Sequence, residues 1–163
     1  MEYRRLGKAG VNVSVIGMGT NQFGGKVDQE MVHNVIDAAL DLGINFIDTA
    51  DVYQSGRSEE TLGHALKGKW DRFVVATKVF FSTGDGPNDR GGSRYHIQNG
   101  VEASLRRLQT DHIDLYQMHR WDAETPIAET MRAREQASIR EFIEIWYSEA
   151  TRAELRKFEI RKD

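Results

Sequence analysis

Ile44-Asn45-Phe46-Ile47-Asp48 is five residues long, rich in β-branched and aromatic side chains, and ends on a carboxylate. It has the length and composition of a strand. Just before it, Asp28 can cap a helix whose apolar face is Met31, Val32, Val35, Ile36, Ala39 and Leu40. Gly43 stands where such a helix ends on a left-handed residue. Just after it, Ser58 can cap a second helix bearing Leu62, Ala65 and Leu66, with Gly68 at its end. A short strand between two amphipathic helices is the unit of an α/β chain.

The same unit recurs on both sides. Val13-Ser14-Val15-Ile16-Gly17-Met18 precedes it; Phe73-Val74-Val75-Ala76-Thr77-Lys78 and Ile113-Asp114-Leu115-Tyr116-Gln117-Met118-His119 follow. A third helix carries Ile97, Val101, Leu105 and Leu108, and Thr125-Pro126 opens a fourth with proline at its first position. Strand and helix alternating every ~30–40 residues imply parallel strands joined by right-handed crossovers. Ahead of them, Tyr3-Arg4-Arg5-Leu6 and Val11-Asn12-Val13 flank a glycine-bounded turn and read as a β-hairpin. Periodicity alone leaves open whether the sheet is open or closed. The interior of a closed one would be lined by candidates such as Val15, Phe46, Ile47, Val74, Val75, Leu115 and Met118.

Past Ala133 the pattern changes. No glycine follows Gly100, and Arg and Glu become dense. Ile139, Phe142, Ile143 and Trp146 fall at helical spacing, whereas Ile143, Ile145 and Tyr147 alternate as in a strand. Thr151-Arg152-Ala153-Glu154 is a capping box. The chain thus divides into residues 1–133, four βα units, and residues 134–163, a divergent segment with room for a fifth strand and a helix.

With 163 residues one domain is expected. A net charge of −3 gives no electrostatic reason to expect nucleic acid or an anionic membrane as partner. The absence of cysteine removes disulfides, thiol catalysis and Cys-ligated metals. The stretch from Met1 to Leu6 lacks the apolar core of a signal peptide and no later run approaches membrane-spanning length, so the expected location is the cytoplasm. His33, His64, His96 and His112 show no metal-ligand spacing and read as helix-surface residues; no metal is expected.

Polar residues gather where the strands end. Asp48 closes the second run and Tyr53 follows it; Lys78 closes the third and His119 the fourth. In a parallel α/β fold the strand C-termini share one face, where such folds bind and react. Each residue alone is unremarkable: a turn carboxylate, a half-buried aromatic, a solvated lysine, a rim histidine. Together they suit reduction of a carbonyl. The oxygen that becomes alkoxide needs a proton, and Tyr53 can act as general acid. A lysine cation beside the phenol favours phenolate. Asp48 can hold that lysine, and His119 can donate a hydrogen bond that orients the carbonyl oxygen. Gly17-x-Gly19 after a strand invites a dinucleotide-fingerprint reading, but the third glycine is misplaced at Gly24, so a tight turn is preferred. Residues 82–93, rich in Gly and Asp, read as a mobile loop that could line a substrate pocket.

Gly17-Met18-Gly19-Thr20, Asn45-Phe46-Ile47-Asp48-Thr49-Ala50-Asp51-Val52-Tyr53 and Ser58-Glu59-Glu60-Thr61-Leu62-Gly63 resemble the aldo-keto reductases. So do Val75-Ala76-Thr77-Lys78, Ser104-Leu105-Arg106-Arg107-Leu108 and Ile113-Asp114-Leu115-Tyr116-Gln117-Met118-His119-Arg120. The likeness runs from about Tyr3 to Ala133 and is closest to the bacterial branch that includes the potassium-channel β subunits. It implies a (β/α)8 TIM-type barrel, of which this chain carries the N-terminal half: a β-hairpin, then four to five parallel strands. It implies NADPH as cofactor, an aldehyde or ketone as substrate, and Asp48, Tyr53, Lys78 and His119 as catalytic tetrad. The turn with Gly19 and Thr20 would lie beside the cofactor, as would Asp48. After Ala133 the likeness lapses and resumes at Tyr147, which places Ser148 where the family's nicotinamide-amide serine stands, with Glu149 in place of its asparagine. A full barrel takes roughly 250 residues, and the family's groups for the adenosine 2′-phosphate come from its last strands. Weak cofactor binding is therefore expected. The alternative is a silent, truncated or engineered half-barrel that folds or self-associates without turnover.

Overall fold

The computed structural model describes residues 1–133. The expected fifth strand near residues 142–147, the helix from Thr151, and Ser148 lie outside the described residues. A two-stranded antiparallel hairpin, β1 (Tyr3–Arg5) and β2 (Asn12–Ser14), precedes a four-stranded parallel sheet. The sheet comprises β3 (Met18–Gly19), β4 (Phe46–Asp48), β5 (Val74–Val79) and β6 (Leu115–Met118). Its strands lie side by side in chain order, with helices α1 (Gln29–Asp41), α2 (Arg57–Leu66) and α3 (Arg94–Leu108) as crossovers, and α4 (Ile127–Ala133) follows β6. Sequential order is the order of a barrel wall; a doubly wound sheet reverses direction at a switch point.

Local sequence accounts for the helix ends. The Asp28 carboxylate accepts the Met31 N–H at 2.9 Å and caps α1. At the other end Gly43 adopts φ +75, its N–H reaches the Leu40 carbonyl, and the Ile44 N–H reaches Ala39. This is a Schellman closure, for which glycine is the natural residue. Ser93 caps α3 by accepting the His96 N–H. The cap expected from Ser58 is absent: α2 starts at Arg57 behind Gly56 (φ +89), and Ser58 is buried in its first turn.

Two strand expectations change. The run over residues 13–18 is not one strand. The Ser14 hydroxyl donates to the Ile16 carbonyl and the Ser14 N–H to the Asn45 side chain. This turns the chain out of the hairpin, leaving Val15 and Ile16 exposed, and only Met18–Gly19 joins the parallel sheet. The face assignment also splits. Ile47, Val75 and Met118 pack into the core with Val32, Ile36, Leu62, Leu66, Ile97 and Val101, so they face the helices. Alternation along the strands then turns Phe46, Val74 and Leu115 to the opposite side of the sheet, together with Asp48 and Lys78. Close approach of α2 to the end of α3 depends on Gly63, where a Cβ would collide with the backbone of Leu108. His96 is buried in α3, not at the surface, and burial lowers its pKa from the ordinary histidine value.

Candidate active site

The four strand-end residues meet. Lys78, the fifth residue of β5, points its ammonium at Asp48 Oδ2 (2.6 Å), the Thr49 carbonyl (2.7 Å) and the Tyr53 hydroxyl (3.4 Å). Its side chain is only 14% exposed, so the cation is held among these oxygens with little water around it. The Tyr53 ring meets the His119 ring edge-on at 5.6 Å between centroids. His119 follows β6 directly, and its N–H bonds the Val79 carbonyl, extending the ladder to the strand end. Burial first, then the neighbouring Lys78 charge, lowers the His119 pKa below the ordinary histidine value, against an opposing pull from Asp48. Its imidazole is accordingly neutral at pH 7 and keeps one N–H to donate. Phe81, 38% exposed, stands edge-on to His119 at 4.9 Å and forms an apolar wall beside it.

Tyr53 is delivered by an unusual turn. After Asp48 the chain runs through Thr49, Ala50 and Asp51, all buried, and the Tyr53 N–H closes on the Ala50 carbonyl. Gln54 (φ +50) and Ser55 (φ +57) then both adopt left-handed backbone before Gly56. Such conformations persist only where surroundings impose them. Here the Gln54 side chain donates to the Asn21 carbonyl and sits over Gly25, where any Cβ would collide with it. The phenol is thereby tied to the loop that follows β3.

Several supporting residues escaped sequence reasoning. Ser58 donates to the Thr20 carbonyl, and its hydroxyl also meets those of Thr20 and Thr49 at 3.0 Å, knitting together the ends of β3 and β4. Glu59, fully buried, accepts the Thr77 hydroxyl and, at 2.6 Å, the Arg107 guanidinium. The only trace of these roles in sequence was the Ser58-Glu59 dipeptide, which also fits an ordinary helix start. Gly19 ends β3 and Thr20 follows it, next to Asp48: Gly19 is exposed with nothing within reach of a Cβ, while Thr20 is buried and bonded to the Asp48 carbonyl. Gly19 therefore leaves its side of the turn open, whereas Thr20 holds the turn to the end of β4. Residues 82–93 form a hydrogen-bonded loop, anchored through Gly92 to Asp122 and Thr130. Among the described residues no group of His, Asp and Glu side chains could hold a metal ion, and no helix is long and apolar enough to cross a membrane.

A largely enclosed lysine thus bridges a carboxylate and a phenol, with a neutral histidine beside them at the C-terminal rim of a sequential parallel sheet. The model of the aldo/keto reductase family matches residues 15–139, and the chain belongs to that family. It is 44% identical over 137 residues to a probable voltage-gated potassium channel subunit beta of Arabidopsis thaliana, covering 82% of this chain and 42% of that one. It is also 44% identical over 147 residues to an uncharacterized oxidoreductase of Bacillus subtilis, covering 83% and 45%. An aldo-keto reductase from Bacillus halodurans, solved in its holo form, superposes with a TM-score of 0.76 at 38% identity, over 87% of this chain and 49% of that one. The chain spans about half the length of these relatives.

Proposed function

We propose that this chain carries the proton-donating half of an NADPH-dependent carbonyl reductase, acting on an aldehyde or ketone. The observation that carries the reading is the Lys78 ammonium, bound to Asp48 and facing the Tyr53 hydroxyl. NADPH would supply the hydride. Gly19, Thr20 and Asp48 stand where its nicotinamide end would rest, with Ser148 a further candidate. The substrate oxygen would sit between Tyr53 and His119. His119, neutral, donates a hydrogen bond that fixes the oxygen; Tyr53 passes its proton to that oxygen as negative charge develops there; Lys78 stabilises the phenolate left behind; Asp48 keeps Lys78 in place. Phe81 keeps water away from one side. A cytoplasmic setting suits a chain without cysteine.

NADPH fluorescence titration tests this reading. Binding is expected, and expected to be weak. The described residues offer the nicotinamide end a seat, but the family's 2′-phosphate contacts belong to later strands. Charge-assisted contacts are worth roughly 1.5–3 kcal/mol each, so a polypeptide of these 163 residues assayed without such strands is expected to bind decades more weakly than one assayed with them. Submicromolar binding by the 163-residue chain would overturn this expectation, and no binding at millimolar NADPH would favour the silent half-barrel. A second expected property is self-association. Among the described residues β3 and β6 each pair on one side only, and unpaired parallel edges favour joining to another sheet. Light scattering over a concentration series should show dimers; a monomer throughout would contradict this.

A further inference from the structure

Directly under the tetrad lies a charge cluster that the reaction does not use. Asp51 is 2% exposed, and neither carboxyl oxygen has a well-formed hydrogen bond among the described residues. Glu59, beside it, is fully buried with both oxygens engaged: one accepts the Thr77 hydroxyl at 2.5 Å, the other Arg107 Nε at 2.6 Å. The Tyr116 hydroxyl is buried and has no hydrogen-bond partner among the described residues. Among the described residues, the charged and titratable groups that act on Asp51 are Glu59 from α2, Arg107 from α3, Lys78 from β5 and Tyr116 from β6.

Lys78 is already committed to Asp48 and Arg107 to Glu59, so among the described residues Asp51 has no cation paired to it. A protein interior does not hold such an excess charge when a proton can remove it. Each Glu59 oxygen has a strong donor, whereas Asp51 has at most the Val52 amide, so Asp51 is the carboxyl that takes the proton. Burial, then the Glu59 charge, pushes the Asp51 carboxyl up to about 7, against weaker opposing pulls from Arg107, the Val52 amide and Lys78.

Backbone links tie this cluster to the site. The Asp51 N–H donates to the Lys78 carbonyl at 3.1 Å. The Thr49 carbonyl, on the same turn, accepts the Lys78 ammonium. Tyr53 lies two residues further along. We propose that Asp51, held as a neutral carboxylic acid, is a positioning residue that seats the turn carrying Tyr53 against Lys78, and that its ionisation unseats that turn. The proposal rests on Lys78 and Tyr53 being the reacting pair, but it can be tested without substrate or cofactor.

The test is a pH titration of the chain labelled with carbon-13 at aspartate carboxyls and tyrosine rings, compared with Asp51→Asn. Asparagine has the shape of the protonated acid. The Tyr53 signal is assigned with Tyr53→Phe. In the unmodified chain one aspartate carboxyl is expected to titrate near pH 7, and the Tyr53 signal to shift with the same midpoint. Both changes should vanish in Asp51→Asn, whereas the His119 inflection, at lower pH, should remain in both. A raised folded-state pKa gives stability at low pH that is lost as pH rises. The melting temperature of Asp51→Asn should therefore pull ahead of the unmodified chain between about pH 4 and 7 and hold a constant lead above. Aspartates all ionised by about pH 5, or a Tyr53 signal indifferent to the Asp51 titration, would overturn the proposal. Should Asp51→Asn fail to fold, the titration of the unmodified chain decides alone. Failure to reduce carbonyls leaves these signals unaffected, so the two readings fail separately.

Discussion

A Glu59→Ala chain is expected to lose on the order of 3–5 kcal/mol of stability, the usual cost of removing one partner from a buried ion pair. Glu59 has no exposed surface, while its partner Arg107 retains about a fifth of its own. Among the described residues, removing the carboxylate leaves the guanidinium a single hydrogen bond, a long one to Ser104 at 3.4 Å, and strips the Thr77 hydroxyl of its acceptor. It also leaves a cavity between α2, α3 and β5. Glu59→Gln should fall in between, since the amide oxygen can still accept while the charge is gone. Chemical denaturation checks both. A Glu59→Ala chain within 1 kcal/mol or so of the unmodified one would show that the buried pair contributes nothing net to the fold.

The fold was legible where the sequence is periodic. The helices over residues 29–41 and 94–108, the first with its cap at Asp28, follow from local chemistry that depends on neighbours three or four residues away. The tetrad was legible because strand ends in a parallel sheet share one rim, so Asp48, Lys78 and His119 are brought together by topology alone. What stayed hidden depends on distant partners. Ser58 looked like a helix cap because nothing local reveals that Thr20, 38 residues earlier, claims its hydroxyl. Nothing local marks Glu59 as buried and paired; its partner Arg107 is 48 residues away. Ile47, Val75 and Met118 were placed on the wrong face because alternation gives two faces without saying which one the helices cover. The run at residues 13–18 gave no warning that Ser14 and Asn45 would break it.

Tyr53→Phe is expected to remove carbonyl reduction while leaving NADPH affinity nearly unchanged, because in the proposed mechanism the phenol oxygen gives the proton and does not hold the nucleotide. General acids of this kind contribute roughly 10²–10⁴-fold in rate, and no other hydroxyl is hydrogen-bonded to Lys78 among the described residues. The phenylalanine ring should keep the edge-on contact with His119 and the turn at Gln54, so the loss belongs to the hydroxyl rather than to the fold. The decisive measurement is the rate of alcohol formation from a reactive aldehyde, in the unmodified chain and in Tyr53→Phe, each at an NADPH concentration above its own measured dissociation constant. The account predicts reduction by the first and a loss of at least about a hundredfold in the second. Equal rates in the two, or no alcohol from the unmodified chain with NADPH bound, would contradict it.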